Sequence, residues 1–188
     1  MNIEKEITTF EELEKLISSS LIKKLENHLG LFYFAKSRSK FEGWLKTELC
    51  EIFAKNNEEA NITIEKYVKR KGKKYYKIDL VYNDDFAIEL KTINTNYEKK
   101  NNPYLKCNIE KNRPLGLNCQ HLQKDIEKLK KLNYKHNILV FIVFPLTNPV
   151  CDDWTERLKK INSGFDPKPH PFAFRNKIPG ILYISQIK

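Results

Sequence analysis

Apolar side chains recur every three or four residues near the start of the chain, which is the spacing of one face of a helix. The stripe begins after Thr9, and Glu12 lies three residues beyond Thr9 in the arrangement of a capping box. Gly30 is placed to end this helix, because glycine readily adopts the left-handed conformation that follows a helical C-terminus. The pattern therefore predicts an N-terminal helix over residues 9–29.

A second helix is expected after Ser39, since Ser39 and Glu42 repeat the capping-box spacing. Its apolar stripe consists of Phe41, Leu45, Leu49 and Ile52. Three strand candidates follow, over residues 62–70, 74–82 and 86–93. Alternation in the first places Ile62, Ile64 and Val68 on one face. Short polar breaks separate the three segments, so we expect an antiparallel meander.

The rest of the chain supplies the remaining layers of an α/β fold. Residues 94–117 show no period, and a third helix follows, marked by Leu122, Ile126 and Leu129. The continuous apolar run 138–144 predicts a central strand that is buried on both faces. A C-terminal helix and short strands, broken at Pro179–Gly180, are expected over 151–188. We predict one domain over 1–188, with a mixed sheet flanked by helices.

Composition and charge narrow the class of protein. Hydrophobic residues make up 40% and charged residues 31%, which is typical of a globular domain rather than of a disordered or membrane-embedded chain. We expect no membrane association and no signal peptide, and hence a cytoplasmic location. The four cysteines lack zinc-site spacing. A net charge of +10 favours a polyanionic partner, with DNA as the first candidate, although a lysine-rich, solvated surface would give the same charge.

The residues that suggest chemistry are Asp79, Glu89 and Lys91. Side chains alternate along a strand, so Glu89 and Lys91 share a face. If Tyr82 pairs with Phe86 across the turn, Asp79 lies opposite Glu89. Two opposed carboxylates repel each other, and a divalent cation that takes oxygen ligands, such as Mg²⁺ or Mn²⁺, would remove the repulsion. The alternative is a solvated strand face with ordinary ion pairs.

The second helix adds a candidate acidic residue. Glu48 falls within the apolar arc of that helix, and a carboxylate on a buried face needs a partner or a metal ion. We therefore expect Glu48 to assist the site, with a salt bridge to a lysine as the alternative. Glu42 is explained by its capping box.

Asp79, followed nine residues later by Glu89-Leu90-Lys91, resembles the PD-(D/E)XK motif of restriction-endonuclease-like nucleases. The order of elements from about 35 to 145 is similar to the αβββαβ core of that family. The resemblance implies Mg²⁺-dependent hydrolysis of DNA phosphodiester bonds, possible with Mn²⁺, in which Asp79 and Glu89 bind metal, Lys91 serves the attacking water and Glu48 assists. Ile78 stands where the name-giving proline would be. Enzymes of this fold commonly form homodimers, so the resemblance also implies a homodimer.

A further set of polar side chains lies after the motif, where a substrate would be contacted. Cations bind phosphates, and the basic candidates around residues 94–117 are Lys99, Lys100, Lys106, Lys111 and Arg113. The resemblance adds Gln120 and Gln123, because polar residues at the start of this helix often approach the scissile phosphate in that fold. The alternatives are a solvated helix face and an unstructured connector. Three alternative functions remain for the protein as a whole. It could be a catalytically silent nucleic-acid-binding protein, a repair or junction nuclease, or a subunit that binds an acidic protein.

Overall fold

The computed structural model describes residues 6–37, 39–69, 75–95, 113–146, 158–161 and 165–188, with side chains in the fourth helix described from 119 onward. Within these residues, four helices of nine residues or more and six strands follow in chain order. The elements are α1 (Phe10–Asn27), α2 (Leu29–Ser37), α3 (Glu42–Asn56), β1 (Ile62–Lys69), β2 (Tyr75–Tyr82), β3 (Phe86–Asn94), α4 (Arg113–Leu129), β4 (His136–Phe144), β5 (Lys168–Ala173) and β6 (Pro179–Ile187).

The strands form one mixed sheet in the order β1-β2-β3-β4-β6-β5. The first three strands pair antiparallel, which confirms the predicted meander. Strand β4 runs parallel to β3 and antiparallel to β6, and so occupies the centre of the sheet, as its continuous apolar sequence predicts. The α/β class with a mixed sheet between helices is thus the observed architecture.

Helices cover both faces of the sheet. One core cluster joins α1 and α3 to the side chains of β3 and β4 that face them, including Leu21, Leu49 and Leu90. The other cluster joins α4 to the opposite face, where Ile126 packs with Phe141. Among the described residues, no helix has the length and apolar character needed to cross a bilayer.

The first helix begins as predicted but ends differently. Thr9 caps α1, with the reciprocal bonds between Thr9 and Glu12 that define a capping box. The prediction that Gly30 ends this helix is wrong, because α1 stops at Asn27 and a second helix starts at Leu29. Burial of Leu31 and Ala35, one turn apart, gives this short helix a core contact that continues the chain in helical form.

The predicted capping box of the following helix, by contrast, is wrong. Helix α3 starts at Glu42, and its N-cap is Phe41, whose side chain makes no capping bond. Phe41 is instead buried at 3% exposure, against Phe144 and Phe174. Its backbone N–H donates to Oγ1 of Thr92 at 3.3 Å. Packing of the aromatic ring therefore fixes where this helix begins, and the carboxylate of Glu42 is left for another contact.

The alternation predicted for β1 is interrupted. Glu65 has a φ of 55°, in the left-handed region, and it makes no pair in the β1–β2 register. Ile62 packs with the α1–α3 core, Ile64 is exposed and Val68 packs with the α4 core. Ile64 pairs with Leu80 of the same core, so Ile62 and Ile64 share a face as predicted. The prediction is wrong for Val68, which follows the positive φ at Glu65 and lies on the opposite face.

At the C-terminus, Pro179 and Gly180 do not break a strand, since β6 begins at Pro179. Proline fits the first position of a strand, where its missing N–H leaves no ladder bond unmade. Of the predicted C-terminal helix, residues 158–161 are helical, and Trp154 lies outside the described residues. Most of the unpatterned segment 94–117 also lies outside them, and α4 starts earlier than predicted, at Arg113.

Candidate functional site

Asp79 lies where β2 leaves β3. The hydrogen-bonded register of these strands runs from Tyr82–Phe86 to Leu80–Ile88 and is not continued at Asp79. In place of a backbone partner, the N–H of Leu90 donates to Oδ2 of Asp79 at 3.0 Å. The other oxygen, Oδ1, is 3.3 Å from Nζ of Lys46 on α3. The carboxylate thus fills the gap between the two strands and remains partly exposed.

Glu89 is the most deeply buried carboxylate at this point, at 3% exposure. It points to the α4 side of the sheet, where its Oε1 lies 2.5 Å from Nζ of Lys128. At this distance the ammonium group of Lys128 donates a charge-assisted hydrogen bond to Oε1, so the buried carboxylate has a cationic partner. Burial raises the pKa of Glu89 to about 7, and Asp79 and Asp125 add to the rise while Lys128 opposes it.

Lys91 lies two residues after Glu89 on the same face of β3. It also forms an ion pair with α4, but here the strand supplies the cation and the helix supplies the carboxylate. Its Nζ is 3.1 Å from Oδ2 of Asp125, one turn before Lys128. Burial alone would lower the pKa of Lys91, but Asp125, Glu42 and Asp79 outweigh that effect and raise it. Lys91 is therefore a fixed cation with acidic groups on several sides.

The acidic side chain that α3 brings to this region is Glu42. Its Oε1 accepts the backbone N–H of Thr92 at 3.0 Å. Asp79 and Glu42 thus accept the backbone N–H groups of Leu90 and Thr92, which have no partner in β2 because the β2–β3 pairing has ended. Glu48 is placed elsewhere: it forms an ion pair with Lys24 of α1, which is the salt-bridge alternative of the sequence analysis.

The structure brings Asp79, Glu89 and Lys91 together and adds Glu42, Lys46, Asp125 and Lys128 to them. We refer to these seven residues as the acidic–lysine cluster. The Tyr82–Phe86 pairing is confirmed, but the predicted direct pairing of Asp79 with Glu89 is not formed, because the register ends at Leu80–Ile88 and Asp79 accepts the N–H of Leu90. Within the described residues, no group of three or more His, Cys, Asp or Glu side chains is arranged to hold a metal ion.

A scan against protein-family models, a search of curated proteins and a search of solved structures each found no significant match. The resemblance to the PD-(D/E)XK motif therefore rests on the residues of this chain alone.

The nucleic-acid-binding candidates are only partly described. Lys99, Lys100, Lys106 and Lys111 lie outside the described residues, as does the side chain of Arg113. Gln120 and Gln123 are exposed on α4. These two side chains are open to solvent, and their contact with a substrate stays a prediction.

Asp125 and Lys128 were not selected as site residues from the sequence, although a signal exists. They are three residues apart on α4, beside the buried stripe of Leu122, Ile126 and Leu129. Side chains next to a buried stripe lie at the boundary with the sheet, where they can reach polar groups of the strands. Lys46 offered no comparable signal, because its role depends on how α3 crosses the sheet.

Proposed function

We propose that this protein is a metal-dependent nuclease that hydrolyses DNA phosphodiester bonds, with Asp79 and Glu89 as metal ligands and Lys91 beside the attacking water. One observation carries the proposal: a buried carboxylate, Glu89, lies on the strand next to Asp79, at the place where the two strands part. Lys91 follows two residues later on the same face. Burial raises the pKa of this carboxylate to about 7, and ionisable groups perturbed in this way are concentrated at functional sites.

The donor set fits a hard divalent cation. Both candidate ligands supply carboxylate oxygens, and the two carboxylates are close enough that Asp79 contributes to the raised pKa of Glu89. Mg²⁺ commonly takes one or two protein carboxylates and completes its shell with water and substrate phosphate oxygens. Two ligands are therefore enough, and Mn²⁺ has similar requirements. When bound, the ion would supply a more acidic water and would neutralise charge on the phosphate.

The protein's own groups have separate tasks in this proposal. Lys91 holds a positive charge that can orient a water and a phosphate oxygen, and Asp125 fixes its position at 3.1 Å. Asp79 keeps the open edge of β3 in place through Leu90 while it offers its second oxygen to the site. Lys46 and Lys128 balance the carboxylates when no cation is bound.

The order of elements adds support. The segment α3-β1-β2-β3-α4-β4 has the αβββαβ order expected from the resemblance to restriction-endonuclease-like nucleases. A restriction-type enzyme and a repair or junction nuclease would share this core, and they would differ in the DNA form that they cleave. Homodimerisation belongs to the same proposal.

The test is cleavage of supercoiled plasmid with Mg²⁺ or with EDTA. Asp79→Asn keeps an oxygen for the N–H of Leu90 but removes the charge, and Lys91→Gln removes the cation. We expect nicking or linearisation that needs Mg²⁺, reduced roughly 100-fold or more in both variants, because each loses several kcal/mol of transition-state stabilisation.

Asp84→Asn, in the β2–β3 turn, and Lys124→Gln, on the exposed side of α4, are the matched controls and should cleave like the wild type. Cleavage that persists in EDTA, or that survives in both site variants, would refute the proposed site. If the wild type leaves plasmid, branched DNA and single strands all intact in Mg²⁺ and Mn²⁺, the proposed activity is wrong.

A further inference from the structure

The β1–β2 hairpin carries tyrosines and lysines side by side on one exposed face. In the register, Tyr67 pairs with Lys77 and Lys69 pairs with Tyr75. Directly paired residues project to the same face, so these four side chains form one group, which we call the tyrosine–lysine face. Tyr67 is 65% and Tyr75 is 60% exposed, far more than buried core aromatic residues of the sheet such as Tyr82.

The other face of the hairpin fixes it to the body of the protein. Val68, Tyr76 and Ile78 pack with the core that lies under α4. The hairpin is therefore held by a buried face, and its two exposed tyrosines contribute little to the core. Exposed aromatic rings that are held in place by a strand make good contact surfaces, because little side-chain freedom is lost when they bind.

The tyrosine–lysine face runs directly to the acidic–lysine cluster. Two positions along the hairpin from the Tyr67–Lys77 pair lie Glu65 and Asp79, and Nζ of Lys77 is 2.7 Å from Oε2 of Glu65. Lys46 joins Glu65 to Asp79, at 3.0 Å and 3.3 Å. At roughly 3.3 Å per residue, the first pair lies about 7 Å from Asp79 along the strand and the Lys69–Tyr75 pair about 13 Å.

The charge of this surface is positive. Glu65 carries a carboxylate, and it is neutralised by the two lysines Lys46 and Lys77. The two further lysines of the face, Lys69 and Lys77, alternate with the exposed rings of Tyr67 and Tyr75. Cations beside exposed aromatic rings complement a strand with anionic phosphates and flat bases.

We propose that the tyrosine–lysine face binds a single-stranded segment of the DNA substrate, with Tyr67 and Tyr75 stacking on bases and Lys69 contacting phosphate. This inference rests on the proposed function for the identity of the polyanion. A base within a duplex is covered on both sides by its neighbours, so a tyrosine ring can stack only on an unpaired base. The rings are diagonal neighbours, about 7–8 Å apart at the backbone, and suit adjacent bases of one strand. An acidic protein would use the lysines but would have no need for this alternation of rings and cations.

The test is binding of a fluorescein-labelled oligodeoxythymidine, and of a labelled duplex of equal length, measured by anisotropy in EDTA. We expect the single strand to bind more tightly than the duplex. Tyr67→Ala and Tyr75→Ala should each raise the Kd for the single strand roughly tenfold, with a smaller effect on the duplex. The Phe variants keep the ring and should bind like the wild type. Lys69→Gln should make the dependence of log K on log salt shallower by about 0.7.

Tyr33→Ala, an exposed tyrosine on α2, and Lys15→Gln, an exposed lysine on α1, are the controls and should leave binding unchanged. Circular dichroism checks that each variant is folded. Unchanged binding by both Ala variants would overturn the inference, as would equal losses for strand and duplex, or Phe variants as weak as the Ala variants. Binding in EDTA is measured independently of cleavage. If the wild type cleaves no DNA but the Ala variants still lose affinity for the single strand, the proposed nuclease activity is wrong and the binding face is supported.

Discussion

Replacement of Glu89 by glutamine tests whether this carboxylate is protonated in the metal-free protein. Burial raises its pKa from 4.5 to about 7. An acid whose folded pKa is raised contributes stability that is complete below the unfolded pKa of 4.5 and is lost as pH rises through about 7. At about 1.4 kcal/mol per pH unit, the wild type should lose about 3 kcal/mol from this group, of which about 2.5 kcal/mol falls between pH 5 and pH 8.

The assay is urea unfolding in EDTA at several pH values, for the wild type and Glu89→Gln, followed by circular dichroism. All other titrating groups are common to the two proteins, so the difference between their unfolding free energies isolates residue 89. Glutamine resembles the protonated acid and carries no charge at any pH. The unfolding free energy of Glu89→Gln minus that of the wild type should therefore rise by about 2.5 kcal/mol between pH 5 and pH 8. A constant offset at every pH, caused by repacking around Lys128, does not affect this slope.

The matched control is Glu127→Gln, an exposed carboxylate on α4, whose difference from the wild type should stay within about 0.5 kcal/mol over the range. If the curves of the wild type and Glu89→Gln are parallel from pH 5 to pH 8, Glu89 ionises as an ordinary surface carboxylate. The burial argument for a metal ligand at this position would then be wrong.

Two further predictions concern the pairing of Glu89 and the start of α3. Lys128→Gln removes the cation that lowers the pKa of Glu89, so the carboxyl titration in EDTA should move above pH 7, as measured by carbon-13 NMR. An unchanged or lower midpoint would contradict the assigned ion pair, and Lys130→Gln, exposed just after the end of α4, is the control. Phe41→Ala removes a ring packed against Phe144 and Phe174, and it should lower the unfolding free energy measured in urea by about 3–5 kcal/mol. The control, Tyr33→Ala at an exposed position, should lower it by under about 1 kcal/mol. Equal losses in the two variants would show that Phe41 does not anchor α3.

The sequence predicts the parts of this structure that depend on local pattern. The β2–β3 turn sets the pairing of Tyr82 with Phe86, and the continuous apolar run places β4 at the centre of the sheet. The parting of the strands at Asp79 is not predictable in this way. It accompanies a left-handed backbone at Glu65, a residue type with no special preference for that conformation, and so no pattern announces it.

Glu42 of α3, and not the predicted Glu48, lies at the site, and this difference shows a second limit of prediction from sequence. A helical wheel places Glu48 within the apolar arc of α3, but it does not say what that arc faces. Lys24 of α1 lies there, and it meets the carboxylate. Glu42 reaches β3 only because Phe41 starts the helix beside Thr92. Which carboxylate arrives at the site therefore depends on tertiary packing, which a one-dimensional pattern does not contain.

Lysine ammonium groups lie next to the carboxylate oxygens to which the proposed metal ion would bind. Lys128 lies at Glu89, and Lys46 lies at Asp79, each close enough for an ion pair. Without them, the carboxylates of Asp79, Glu89, Asp125 and Glu42 would repel one another in a partly buried space. The lysines thus balance these charges in the metal-free protein, and the proposed cation would have to compete with their ammonium groups for the same oxygens. Such competition would favour an ion that binds together with phosphate, because the phosphate would pair with the displaced lysines.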